Sequence, residues 1–98
     1  MTRSIIQTEK ECFKTKYTYG LDRHHIFCGA FRSKSEKFGL WVWLRHDVHM
    51  WLHNTSEGQK YSEELMQIGQ RRFEEIHGHE KFMKVFKKNH LEESEWII

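Results

Sequence analysis

The sequence predicts an α+β fold in a single small domain, residues 1–98: a two-stranded ribbon and a helix, then a C-terminal helical pair. Three observations predict it. Two β-prone apolar runs, at 21–27 and 40–44, are separated by a stretch rich in Gly and Ser. Residues 45–54 contain no Gly or Pro, and beyond Asn54 apolar residues recur at helical spacing up to Gly78 and again up to Asn89. The 98 residues, 38% hydrophobic and 14% aromatic, suffice for a modest core, at a size where a bound metal adds appreciably to stability.

Residues 1–8 form an arm with one apolar pair, Ile5 and Ile6, suited to adding an edge strand. Residues 11–13 are a short strand candidate. KTKYTYG at 14–20 is a loop or hairpin turn leading into the strand at 21–27, so His24 and His25 fall mid-strand. Between 28 and 39 the breakers Gly29, Ser33, Ser35 and Gly39 leave room for one helical turn at SKSEKF, capped by Ser33 or Ser35. LWVWL at 40–44 is the most hydrophobic run and the central strand. Trp41 and Trp43 alternate there with Leu40, Val42 and Leu44, so both faces need cover. Core packing is the expectation for the two indoles; an exposed platform for a base or a protein partner is the other use.

Residues 45–54 are the next helix, with Asp47 placed to cap it or to orient a ligand histidine, and with Met50 and Trp51 turned inward. Ser56 and Gln59 fit a capping box opening a helix that runs to about His77, with a stripe of Tyr61, Leu65, Ile68, Phe73 and Ile76. Gly78 ends it, and 79–89 forms the last helix on Phe82, Met83, Val85 and Phe86. The tail, 91–98, closes on Trp96, Ile97 and Ile98, either docked on the body or open to a partner, which makes a homodimer an expectation.

The histidines carry the chemistry. Four residues are about one helical turn, so His49 and His53 project from one face and can chelate a single divalent ion. Neighbours on a strand point to opposite faces, so one of His24 and His25 faces that ion and the other does not. With His24 in that place, three imidazoles leave an open coordination position, as a catalytic metal needs. His25 is then free to act as a base. This set suits phosphodiester hydrolysis.

The order HH, 23 residues, H-x-x-x-H resembles the HNH, His-Me-finger or ββα-metal nucleases, with a spacing similar to the colicin-type DNases. The resemblance implies a metal finger over residues 9–54, with His24, His49 and His53 as ligands and His25 as general base. Across most of the chain, KECF, RHHIF, SEKFGLWVWLRHD, GQRRFEE and HEKFMKVFKKNHL resemble small phage and prophage HNH-like proteins. Two features depart from the HNH pattern: no Asn stands on or before the second strand to orient the base, where Phe38-Gly39-Leu40-Trp41 is found, and no CxxC knuckles brace the finger.

Net charge is +2, which neither demands nor excludes nucleic acid. Arg32, Lys34, Lys37 and Arg45 surround the expected finger, and Arg45 or Arg23 is placed to stabilise phosphate charge. Cys12 and Cys28 are too few for a disulfide framework and read as two reduced thiols, or as a pair brought together across neighbouring strands. No long apolar run or leader pattern stands in the sequence, which points to a protein in the cytoplasm of a bacterial host. Three functions compete. One is a metal-dependent endonuclease acting on DNA, with Zn bound and Mg, Mn or Ni as ions for activity. Another is a non-catalytic phage inhibitor, such as an anti-CRISPR protein that binds a CRISPR effector and keeps the finger for stability. The last is a zinc-stabilised DNA-binding module.

Overall fold

Gly20 and Gly39, both at positive φ, turn the chain ahead of LDRHH and WVWLR, and each of these runs forms a five-residue strand. In the computed structural model, which describes residues 2–92, the elements run β1 (Leu21–His25), a 3-10 turn (Gly29–Phe31), α1 (Arg32–Lys37), β2 (Trp41–Arg45), α2 (His46–Asn54), α3 (Ser56–His77) and α4 (His79–Phe86). The result is a small α+β domain with one two-stranded antiparallel sheet and four α-helices among the described residues.

The register sets Arg23 opposite Trp43, His24 opposite Val42 and His25 opposite Trp41. With the strand period of two, Asp22, His24, Val42 and Leu44 share one face of the ribbon, and Arg23, His25, Trp41 and Trp43 share the other. The first face joins the core, where Val42 and Leu44 are fully buried beside Val48 and Leu52 of α2. Ser35 closes the link between the strands: its Oγ donates to the Leu40 carbonyl and accepts from the Phe27 amide at 3.2 Å. Neither Ser33 nor Ser35 caps α1, because Phe31 occupies the cap position and Ser35 is drawn into the interior.

Neither residues 11–13 nor the arm forms a strand. The outer edge of β2 is satisfied instead by Ser4 Oγ donating to the Trp41 carbonyl (2.6 Å), Gln7 Oε1 accepting from the Trp43 amide (2.9 Å) and the Phe13 amide donating to the Trp43 carbonyl (2.8 Å). Polar side chains thus cover an edge that would otherwise invite pairing with another chain.

Thr55 caps α3, one residue before the expected Ser56: its extended backbone lets Oγ1 accept from the Gly58 amide at 2.8 Å, while Ser56 is already helical. A Cβ on Gly58 would stand 2.1 Å from the Trp51 carbonyl, so α2 and α3 meet at this glycine. The inner stripe of α3 is Leu65, Gly69 and Phe73. Gly69 lets Ile26 and Phe27 approach to 3.3 Å from where its Cβ would be, which rotates Ile68 and Ile76, expected inside, to the surface at 36% and 48% exposure. On α2 likewise Val48 and Leu52 are buried, Trp51 is half-buried, and Met50 is exposed rather than inward.

α4 ends at Phe86, where Lys87 takes the left-handed conformation, three residues before the expected end at Asn89. Phe27, Phe73, Phe82 and Phe86 form an aromatic cluster under it. The fully buried Gln70 anchors the next turn, donating to Asn89 Oδ1 (2.7 Å) and accepting from the His90 amide (2.8 Å). Leu91 is buried; the rest of the expected tail, 93–98, lies outside the described residues. No described helix is long and apolar enough to cross a membrane.

Candidate metal centre

His24 lies on the core-facing side of β1, and α2 crosses that side with His49 and His53 one turn apart. Their rings stand with centroids 5.2 Å (His24 to His49), 5.6 Å (His24 to His53) and 4.9 Å (His49 to His53) apart. One nitrogen from each lies within 4.8 Å of the others, so the three histidines form a cluster able to hold a metal ion. The two helix histidines place their Nε2 atoms 3.2 Å apart. Two nitrogens on one tetrahedral ion, each at about 2.0–2.1 Å, stand roughly 3.3–3.4 Å apart.

Two further observations fit an ion. His24 is only 2% exposed, and its Nε2 is a buried side-chain polar atom without a hydrogen-bond partner. Such an orphan costs about 1–3 kcal/mol unless something binds it. Burial, reinforced by the neighbouring rings of His49, His53 and His25, pushes its pKa down to about 3, so the imidazole is neutral and its lone pair is open. The second observation is Asp22, two residues before His24 and on the same ribbon face. Its Oδ2 lies 3.0 Å from His49 Nδ1 and 2.8 Å from His46 Nδ1. The carboxylate accepts, which puts the His49 proton on Nδ1 and the lone pair of Nε2 toward the cluster. The hydrogen bond from His49, helped by that from His46, holds the Asp22 carboxyl below its usual range against the opposing effect of burial.

His25, on the opposite face but at the last position of β1, lines the same cavity of about 210 Å³ as His24, His49 and His53. Its Nε2 stands 2.9 Å from Glu36 Oε1 on α1, and Arg32 Nε donates to its Nδ1 at 3.4 Å. Glu36 accepts, so the proton sits on Nε2 and the Nδ1 lone pair faces Arg32 and the cavity. Arg23 grips both Glu36 oxygens, at 2.9 and 3.1 Å, and stands over Trp41 with 3.7 Å between the guanidinium carbon and the ring centre.

The structure brings Arg23 to the cavity but not Arg45 or Asp47. Arg45 pairs with Asp47 at 3.2 Å and covers Tyr17, at the other end of the strand from His25. Asp47 caps nothing on α2 beyond the next amide and touches none of the cluster histidines; the carboxylate on His49 is Asp22. Among the other cations expected around the finger, Arg32 lines the cavity, whereas Lys34 donates to the Val85 carbonyl. Asp22 and Glu36 were missed. Asp22 had a signal, its i to i+2 spacing from His24 on a strand; Glu36 had none, since only the fold of α1 brings it to His25. Cys12 and Cys28 are both free, Cys12 buried in the core and Cys28 exposed on the cavity wall, outside the histidine cluster.

Compared with known proteins, the chain matches no protein-family model, no curated protein and no solved structure.

Proposed function

We propose that the protein is a metal-dependent endonuclease of the HNH, or ββα-metal, type, akin to the small phage HNH-like proteins, hydrolysing phosphodiester bonds in DNA. The observation that carries the reading is the convergence of the orphaned, buried Nε2 of His24 with the ring nitrogens of His49 and His53 on a cavity shared with His25. Those three histidines hold the ion, with zinc as the resting occupant on the strength of an all-imidazole donor set. When bound, a divalent ion supplies Lewis-acid stabilisation of the phosphate and of the leaving oxygen.

The chain's own groups do the rest. His25 takes the proton from the attacking water at Nδ1, because Glu36 fixes the other nitrogen as a donor. Glu36 thereby performs the orienting task that a main-chain carbonyl performs in the HNH pattern, which answers the absent Asn. Arg32 is exposed and makes only a long contact to Nδ1; it moves to a phosphate oxygen and frees that lone pair. Arg23 stays on Glu36 and Trp41 and lends its charge to the same wall.

A second reading is a non-catalytic, metal-stabilised inhibitor that docks on a host CRISPR effector. The observation favouring it is the cover on the base: Arg32 on His25 Nδ1, with Arg23 committed to Glu36. A plasmid-nicking assay after chelation and reloading with Zn, Mg, Mn or Ni separates the two. Cleavage by wild type that disappears in His25→Ala while metal content is kept supports the nuclease. One bound ion without cleavage in any metal supports the inhibitor.

A further inference from the structure

The ribbon face opposite the cluster carries a second cavity, of about 500 Å³, between β2 and the arm. It lies within the size range of small-ligand sites. Its walls include the indoles of Trp41 and Trp43, the guanidiniums of Arg3 and Arg23 and the hydroxyl of Thr8, and the carboxylate set against this wall, Glu36, is taken up by Arg23 at 2.9 and 3.1 Å. Trp43 is half-buried, not core, and the cover over its ring is the exposed Lys10, whose Nζ stands 4.9 Å from the ring centre. Ser4 and Gln7 hold the arm over this edge through β2 main-chain atoms. Arg23 lines both cavities, and its neighbour on the same face is His25.

An indole framed by Arg3 and Lys10, with Glu36 already neutralised by Arg23, fits a ligand that is flat, π-rich and anionic. We propose that this cavity is a nucleotide subsite for single-stranded nucleic acid. It receives the base of a nucleotide flanking the scissile phosphate on Trp43, while Arg3 and Lys10 take the phosphates on either side. Lys10 leaves the indole face to do so, which its exposed place just beyond the arm allows. The inference deepens the nuclease reading and rests on it for the identity of the polymer: substrate is strand-separated at the cleavage point, the base in one cavity and the phosphate in the other.

The test is the anisotropy of a fluorescently labelled 12-nucleotide oligothymidylate titrated with full-length protein, in chelator and with zinc, for wild type, Trp43→Ala, Trp43→Phe and Arg3→Glu. The expected result is saturable binding, weakened about tenfold or more in Trp43→Ala, in line with the loss of one stacked base. Trp43→Phe retains most of the affinity, and Arg3→Glu weakens binding without touching the hydrophobic core. Zinc content and thermal midpoint are measured alongside, so a folding defect in Trp43→Ala is recognised and the two other variants decide. No binding by wild type, or wild-type affinity in both Trp43→Ala and Arg3→Glu, overturns the subsite. Plasmid nicking that persists in those variants while oligonucleotide affinity is unchanged removes the subsite and leaves the nuclease. Trp43-dependent binding without nicking in any ion leaves the subsite and removes the nuclease.

Discussion

Asp22 and His49 are 27 residues apart in sequence, yet Asp22 Oδ2 lies 3.0 Å from His49 Nδ1, which ties β1 to α2 and turns the other ring nitrogen of His49 toward His24 and His53. The same oxygen is 2.8 Å from the exposed His46. One carboxylate therefore sets the tautomer of a histidine of the cluster and anchors the first turn of the helix that carries it. Carboxylates in this position raise the basicity of a metal-bound imidazole and fix its orientation.

Asp22→Asn keeps the shape but offers His49 an amide in place of a full negative charge. Zinc affinity, measured by competition with a chromogenic chelator, is expected to fall about 10–100-fold with the fold retained. Unchanged affinity would show that the carboxylate serves only the strand-to-helix junction.

His24→Leu separates the cost of the orphaned nitrogen from its use. Removing a buried, unpartnered Nε2 relieves about 1–3 kcal/mol in the metal-free protein. Chelated His24→Leu is expected to match or exceed chelated wild type in urea denaturation and to lose the stabilisation that zinc gives wild type. A chelated variant markedly less stable than chelated wild type would show that the ring contributes to packing in its own right.

Acid acts through the same ring. The folded-state pKa of His24 is depressed to about 3, mainly by burial, against 6.5 for the free side chain. The unfolded chain therefore binds a proton that the folded chain refuses. This contribution to stability is fully present above about pH 6.5 and is lost as pH falls toward 3, by roughly 1.4 kcal/mol per pH unit across that window. His53, also shifted down by burial, acts in the same direction. The urea midpoint of the metal-free protein is expected to drop steadily from pH 7 to pH 4, and a flat profile would contradict it.

Gly58→Ala tests the junction that positions α2. Its Cβ would meet the Trp51 carbonyl and Leu52 Cα at 2.1 and 2.5 Å, all main-chain atoms with no flexible end to yield. The variant is expected to lose about 2–4 kcal/mol of stability by forcing the two helices apart, and to bind zinc more weakly because His49 and His53 move with α2. A thermal midpoint within a degree or two of wild type would mean that the helices slide apart freely.

The histidine cluster was legible in the sequence because its spacing has a local meaning: one helical turn separates His49 from His53, and alternation on a strand separates His24 from His25. The two strands, the helix after them and the two C-terminal helices were legible for the same reason. What was not legible depends on contacts between distant elements. Glu36 reaches His25 only because Ser35 folds inward and turns α1 against the end of β1. Arg45 and Asp47 satisfy each other, leaving the cavity to Arg23 and Arg32. Ile68 and Ile76 fit a helical stripe, but Gly69 admits Ile26 and Phe27 and sets the buried face of α3 one residue away. The arm reads as a strand candidate from Ile5 and Ile6, and becomes an edge cover through the polar side chains of Ser4 and Gln7.

Whether His24, His49 and His53 share one ion is read directly by X-ray absorption spectroscopy of the zinc-loaded protein. Three imidazole nitrogens at about 2.0–2.1 Å with one exchangeable oxygen ligand are expected, falling to two imidazoles or to no bound zinc in His24→Ala and unchanged in His25→Ala. A protein that binds no stoichiometric zinc, or one whose imidazole count is the same in His24→Ala, would contradict a shared ion.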